Sequence, residues 1–439
     1  MNRKLNNKIF KKKIHHLIPG GAHTYSKGDD VFPEIAPAAI KYGKGVYVWD
    51  LDNNKYLDWC MGLTSVSIGH AFEVINKKVF KEITLGTNFQ RPSYIELEFA
   101  EFLKSIMPNM EMFKFGKNGS TLTTAAVKLA RSYTGRDMVA VCGDHPFFSY
   151  DDWFIGTTTC NAGIPKSIQK LTVRFKYDDN ESLKKLFDRY PKRIAAVILE
   201  PYKFYHPKNN FLQNLKKLCR KNGAVFILDE MVSGFRYEFP AINVVNDLDP
   251  DLVTYGKGIA NGFSAAVLAG KKEIMEYGGI AKKGMERVFL ASTTHGAETH
   301  SIRAAIETIK YLESHNIIEK NRKKGEIIKR KVRGIIDQYK LKDYVYITDI
   351  PQLLFMGFKD EQKKESMAYT TYFRQEMLKR GILFQGLFTL AAQHTRKEIE
   401  FTLSALEECM GLYRKALENK NVNKLLVGEP IKPVFRKYI

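Results

Sequence analysis

Three polar residues close apolar runs, one after another, along this 439-residue chain. Glu200 follows Ala195-Ala196-Val197-Ile198-Leu199, Asp229 follows Ala224-Val225-Phe226-Ile227-Leu228, and Lys257 follows Leu252-Val253-Thr254-Tyr255-Gly256. In open α/β sheets, ligands bind beyond the carboxyl ends of the strands, so residues placed this way converge on one site. An amine beside a carboxylate suits imine chemistry. The lysine attacks an aldehyde carbon, and the carboxylate keeps a pyridine nitrogen protonated so that the ring accepts electrons. That pair is what pyridoxal phosphate (PLP) requires of its protein. Spacing alone leaves a plainer alternative open, in which Asp229 and Glu230 cap a following helix and Lys257 is a surface side chain.

A phosphate needs a cradle as well. Asn118-Gly119-Ser120-Thr121 follows Phe115-Gly116-Lys117 and opens a helix-like stretch from Leu122 to Tyr133. A glycine with hydroxyl neighbours at a helix N-terminus offers free backbone N–H groups and a favourable dipole to an anion. An ordinary Ser/Thr N-cap is the alternative.

The elements that must position these residues can be read from the apolar pattern. Met138-Val139-Ala140-Val141, the runs ending at Glu200 and Asp229, and Leu252-Val253-Thr254-Tyr255 alternate with amphipathic stretches. Near-continuous apolar strands between helices predict an α/β fold with a mainly parallel sheet covered on both faces. Residues 71–310 form this large domain. Residues 1–70 have a basic helix-like start, strand signals around Gly45-Val46-Tyr47-Val48-Trp49-Asp50 and a turn at Asp52-Asn53-Asn54. Residues 311–439 are helix-rich with a strand at Tyr344-Val345-Tyr346-Ile347, and read as a small C-terminal α+β domain. The stretch 420–439 is polar and then basic, and reads as a tail or an arm on a neighbouring subunit.

Apolar residues make up 44% of the chain, enough for a large core. No apolar run reaches the ~18 residues of a membrane span, and the basic N-terminus lacks the apolar core of a secretory signal. Five cysteines (Cys60, Cys142, Cys160, Cys219, Cys409) stand far apart with no CxxC pair. They predict neither a disulfide framework nor a metal site, and a reducing cytoplasm is the expected compartment. The 69 Lys and Arg exceed the 48 Asp and Glu, a formal charge of +21. Nucleic acid or an acidic membrane surface would suit this excess. Much of it, however, lies in Lys11-Lys12-Lys13 and in 320–332, where spaced apolar positions indicate solvated helix faces. Neither nucleic acid nor membrane is therefore the expected partner, although a positive field also suits anionic substrates.

Taken together, the motifs resemble the class III PLP-dependent aminotransferases, and within them the glutamate-1-semialdehyde 2,1-aminomutase branch. The resemblance runs from Ile18-Pro19-Gly20-Gly21 to His394-Thr395. It is strongest at Ile227-Leu228-Asp229-Glu230-Met231-Val232-Ser233-Gly234-Phe235-Arg236 and at Asp251-Leu252-Val253-Thr254-Tyr255-Gly256-Lys257-Gly258. It implies the type I PLP-dependent transferase fold, with the small domain built from both chain ends, and a homodimer. Lys257 would carry PLP as a Schiff base and shuttle the proton, and Asp229 would pair with the pyridine nitrogen. Asn118, Gly119 and Ser120 would hold the phosphate, Phe147 would stack on the ring and Glu200 would lie near the ring hydroxyl. Thr293 would reach the phosphate of the partner subunit. The substrates would be a small-molecule amine donor and a carbonyl acceptor, with PLP cycling through pyridoxamine phosphate.

The chain departs from the family pattern at three points: Thr121 stands where an acidic residue is usual, Phe148 replaces a histidine, and Lys27 occupies the place of an arginine that binds the substrate carboxylate. A lysine binds an anion as a point charge rather than through a planar fork. Lys27, His23 and Arg91 are accordingly the candidate substrate contacts, for an anionic, sugar-like acceptor. Aminomutase-type intramolecular transfer is the alternative enzyme. A PLP-fold protein that has lost catalysis and serves only in interactions is the alternative of another class.

Overall fold

The computed structural model describes residues 6–202 and 204–438. Two compact units emerge, one from Met1–Phe72 and Glu319–Val434, the other from Glu73–Ile318 and Phe435–Ile439.

The second unit is built on seven strands: β1 (Met112–Gly116), β2 (Met138–Cys142), β3 (Thr172–Phe175), β4 (Ile194–Leu199), β5 (Val225–Glu230), β6 (Leu252–Tyr255) and β7 (Ala266–Gly270). Their spatial order is β1-β7-β6-β5-β4-β2-β3. Neighbours from β6 to β3 run parallel, while β7 is antiparallel to both β6 and β1. Every residue of β2, β4, β5, β6 and β7 is buried, which is why these strands read as unbroken apolar runs. Four helices matter for the site: α1 (Glu73–Ile83), α2 (Tyr94–Ile106), α3 (Gly119–Thr134) and α4 (Thr299–Ser314). Helix α3 lies on the sheet, and α4 packs against α1 and α2. Because α4 belongs here, the second unit extends past residue 310, where the sequence pattern placed its end.

The first unit joins both chain ends. A four-stranded sheet takes Ile40–Lys44, Tyr47–Asp50 and Lys55–Asp58 from the N-terminal part and Ile382–Leu383 from the C-terminal part. A three-stranded sheet comprises Val345–Ile347, Leu353–Phe358 and Leu387–Thr389. Trp59, Leu354, Phe358, Phe373, Phe388 and Leu406 lie in its core. The basic run 320–332 sits on the helix Ile317–Gln338, which buries Ile328, Val332, Ile335 and Ile336 and pairs Lys329 with Glu326 and Arg333 with Asp349.

The tail reading of 420–439 needs correction. Gln375, fully buried, donates to Leu425 O at 3.0 Å and accepts from Val427 N at 2.7 Å, while Ile431 N donates to Thr371 Oγ1 at 2.9 Å. Buried polar side chains facing this segment tie its backbone to the helix Met367–Lys379 of its own unit. No helix among the described residues is long and apolar enough to cross a membrane.

Candidate active site

The site is assembled at the carboxyl ends of β4, β5 and β6. Asp229, next to last in β5, is 3% exposed, and Met231 N (3.0 Å) and Thr254 Oγ1 (2.9 Å) both donate to its Oδ1. The parallel register sets Asp229 opposite Thr254 and pairs Leu199 with Leu228, so Glu200 continues alongside Asp229. Two donors compensate the carboxylate for leaving water. Glu230 points elsewhere. Completely buried, it accepts from Ile242 N (3.0 Å), Asn243 N (2.8 Å) and Ser233 Oγ (3.2 Å), and burial pushes its carboxyl up to about 7 against those hydrogen bonds. It is a structural anchor for the turn at Ile242–Val245.

Lys257 comes two residues after β6 ends. Its φ of 51° lies in the left-handed region, and it starts the 3-10 turn Lys257–Ala260. A non-glycine residue there costs about 1–2 kcal/mol, and such strain concentrates at functional sites. The side chain is exposed while its neighbours Gly256 and Gly258 are buried. Met231 links the lysine strand to the anion cradle. A Cβ on Gly256 would meet Met231 Sδ at 2.5 Å, and one on Gly119 would meet the same sulfur at 2.9 Å.

Helix α3 begins at Gly119 with Asn118 as N-cap. Asn118 Oδ1 accepts from Thr121 N (3.0 Å) and Thr121 Oγ1 (3.2 Å). The amides of Gly119 and Ser120, first in a 16-residue helix, have no partner within it and lie at its positive end. Ser120 Oγ accepts from Tyr150 N at 3.2 Å, which leaves its own proton for an acceptor. Thr123 Oγ1 donates to Phe148 O at 2.7 Å and so ties the helix to the aromatic loop. Of the two phenylalanines, Phe147 is 45% exposed and can lie over a ring, whereas Phe148 is buried and meets Phe154 edge to face.

His145 was missed by sequence reasoning. It is buried, and its Nδ1 accepts from Glu200 N at 3.1 Å, which places the proton of the neutral ring on Nε2. Its ring meets Phe148 and Tyr177 at 6.0 and 5.1 Å. The rule that found Glu200 and Asp229 would have found it, since Asp144-His145 follows the end of β2.

The remaining candidates divide. Thr293, whose Oγ1 donates to His295 O at 2.5 Å, shares with Arg91 and Lys114 the wall of a polar cavity of about 450 Å³ in the second unit. In the first unit, Lys27 lines a cavity of about 470 Å³ with Asp58, Cys60, Leu63, His70 and Gln385. His23 is exposed and lines neither cavity.

The residues of the second unit fit PLP. A buried carboxylate suits a protonated ring nitrogen, a glycine-started helix suits a phosphate, and the lysine stands on the adjacent strand end. The comparisons agree. The sequence profile of Aminotransferase class-III matches residues 31–390. A glutamate-1-semialdehyde 2,1-aminomutase of Sulfurihydrogenibium azorense is 29% identical, over 93% of this chain and 99% of that protein. A glutamate-1-semialdehyde 2,1-aminomutase 2 of Lachnoclostridium phytofermentans is 30% identical, over 91% and 97%. The fold matches an omega-transaminase from Sphaerobacter thermophilus with a TM-score of 0.82 at 20% identity, covering 93% of this chain and 98% of that one. It also matches a glutamate-1-semialdehyde aminomutase from Pseudomonas aeruginosa with a TM-score of 0.80 at 17% identity, covering 92% and 94%. The chain belongs to the class-III aminotransferases, PLP-dependent enzymes that move amino groups.

Proposed function

We propose that this enzyme transfers an amino group from a separate amine donor to an anionic, sugar-like aldehyde or ketone, working as a homodimer in a reducing cytoplasm. Lys27 carries the substrate reading. Its cavity is also lined by Lys11, Asp29, Glu34, Asp58, His70 and Gln385; Lys11 pairs with Glu34 and Asp58 with His70, so Lys27 offers a point charge to an anion while the carboxylates and Gln385 can take hydroxyls. Arg91 and Lys114 add positive charge to the cavity that holds Thr293.

Bound PLP supplies an electron sink for the carbanion left when the substrate carbon loses its proton. Lys257 Nζ would hold the cofactor and would take and return the proton at the substrate carbon. Asp229 holds a proton on the ring nitrogen. The amides of Gly119 and Ser120 and the Ser120 hydroxyl grip the phosphate, with Asn118 shaping the turn. Phe147 would stack on the ring, Glu200 and His145 would lie near its hydroxyl, and Thr293 would serve the partner's phosphate. The homodimer rests on Phe80, Leu85, Phe89, Tyr94 and Leu97, which remain 52–69% exposed on α1, α2 and the segment between them. An apolar patch of this kind marks a protein interface.

The names of the relatives favour a second reading, intramolecular transfer on a semialdehyde. Purified holoenzyme offered a panel of amines, then keto- and aldehydo-sugars and glutamate-1-semialdehyde, separates the two by the change in cofactor absorbance. Turnover of an anionic sugar with a donor, and a raised KM at little-changed kcat in Lys27→Ala, is the expected result. Efficient semialdehyde isomerisation without a donor establishes the second reading. Absence of any half-reaction leaves an inactive interaction protein. Borohydride reduction and peptide mapping will find the label on Lys257, and a label on another lysine overturns the assignment.

A further inference from the structure

Beyond the residues already placed, one buried carboxylate joins two segments assigned to phosphate, the cradle of this subunit and the loop that serves its partner. Glu298 is 5% exposed and forms the N-cap of α4. Its Oε1 takes Lys117 Nζ at 2.7 Å and His295 Nδ1 at 3.1 Å. Burial works against its ionisation, but Lys117 and the neighbouring donors outweigh it and hold the carboxyl below its usual range. Lys117 immediately precedes Asn118, and Ser264 Oγ fixes the Lys117 carbonyl at 2.7 Å. At the other end of the loop, a Cβ on Gly296 would lie 3.8 Å from Gly116 Cα and 3.2 Å from Thr293 Oγ1. Asn88 Nδ2 holds Thr294 O at 3.1 Å, and Thr299 N donates to Thr87 O at 3.1 Å. The loop 291–298 therefore meets the segment 116–120 at two points, a close backbone approach at Gly296 and the ion pair at Glu298.

We infer that Glu298 is a positioning residue, which through Lys117 ties the loop that serves the partner's phosphate site to the cradle of its own subunit, so that the grip on the phosphate in each site depends on the Lys117–Glu298 pair. A helix cap alone would need no cation reaching across from the strand before the cradle. Both partners of the pair flank the elements assigned to phosphate. The inference rests on the reading of Asn118, Gly119 and Ser120 as that cradle.

The test compares the affinity of the apoenzyme for PLP with its affinity for pyridoxal, which lacks the phosphate, in Glu298→Gln, Lys117→Met, the double variant and Ser120→Ala. Loss of a part-buried charge-assisted bond predicts about tenfold weaker PLP binding in either single variant. Pyridoxal binding should stay unchanged, and the double variant should be no worse than the singles because the two residues act as one unit. Equal losses for PLP and pyridoxal would reduce Glu298 to a helix cap and overturn the inference. Tighter PLP binding in Glu298→Gln would overturn it too, showing that the carboxylate merely restrains Lys117. If Ser120→Ala lowers the preference for PLP while Glu298→Gln does not, the inference alone falls. If Ser120→Ala leaves the preference intact, the cradle reading falls and takes the inference with it.

Discussion

Asp229 and Glu230 are adjacent carboxylates at the end of one strand, pointing to opposite faces. Asp229 faces the site with two donors on one oxygen, and Glu230 faces inward with three donors shared over both oxygens. Asp229→Ala is expected to lower kcat on the order of 100-fold or more, since a general acid–base arrangement loses its charge support. Glu230→Ala should instead leave kcat within a few-fold and cost roughly 3 kcal/mol of stability, because buried donors lose their acceptor. Urea unfolding beside steady-state rates checks both, and comparable kcat losses would show the roles misassigned. The sign of the pH effect follows from the raised carboxyl of Glu230. The folded state keeps its proton up to about 7, the unfolded state loses it near 4.5, so stability is fully present below 4.5 and declines as pH rises through about 7. Glu230→Gln should flatten that decline. The two neighbours were legible as a pair in the sequence, and the alternation of a strand implies that they part. Thr254, which holds Asp229, was not legible, because only strand register brings it across.

At the scale of elements, Met231 is the joint between the cradle and the lysine strand. The backbone of Gly256 is extended, so the demand for glycine there is purely spatial: a Cβ would overlap Met231 Sδ. Gly256→Ala should destabilise the enzyme by about 1–3 kcal/mol through overpacking and weaken PLP binding. Adding Met231→Ala should recover part of both losses, since neighbouring changes of opposite volume are not additive. Calorimetry and cofactor titration of the two singles and the double test this, and strict additivity would deny the contact. The helix start at Gly119 was close to its sequence reading because the cap, glycine and hydroxyls announce it locally. The strands Met112–Gly116, Thr172–Phe175 and Ala266–Gly270 were not singled out, being short and, in the first two, only partly buried.

For the whole molecule, the exposed apolar side chains of α1, α2 and their connection predict association. Phe80→Glu with Leu97→Glu should convert a dimer to monomer in sedimentation analysis and remove activity along with it, because Thr293 would no longer serve a partner. A wild-type monomer of full activity would end the homodimer proposal. The charge of +21 needs no nucleic acid to account for its densest run, since the helix Ile317–Gln338 buries an apolar face and turns its cations outward.

The sequence by itself determined the α/β class, the strand-end placement of Glu200, Asp229 and Lys257, the helix opened by Asn118-Gly119-Ser120-Thr121 and the family resemblance. All of these depend on local periodicity, on turn chemistry or on residue types a few positions apart. Only the tertiary structure decided that Asp229 rather than Glu230 meets Thr254, that His145 joins Glu200, that Met231 abuts two distant glycines and that Glu298 reaches Lys117. Those contacts depend on strand order and register, and on loops returning from far along the chain, which no local pattern encodes. The segment 420–439 makes the same point: its polarity suggested a tail or an arm on a neighbouring subunit, whereas the amide of Gln375, 50 and 52 positions earlier, ties Leu425 and Val427 to its own unit.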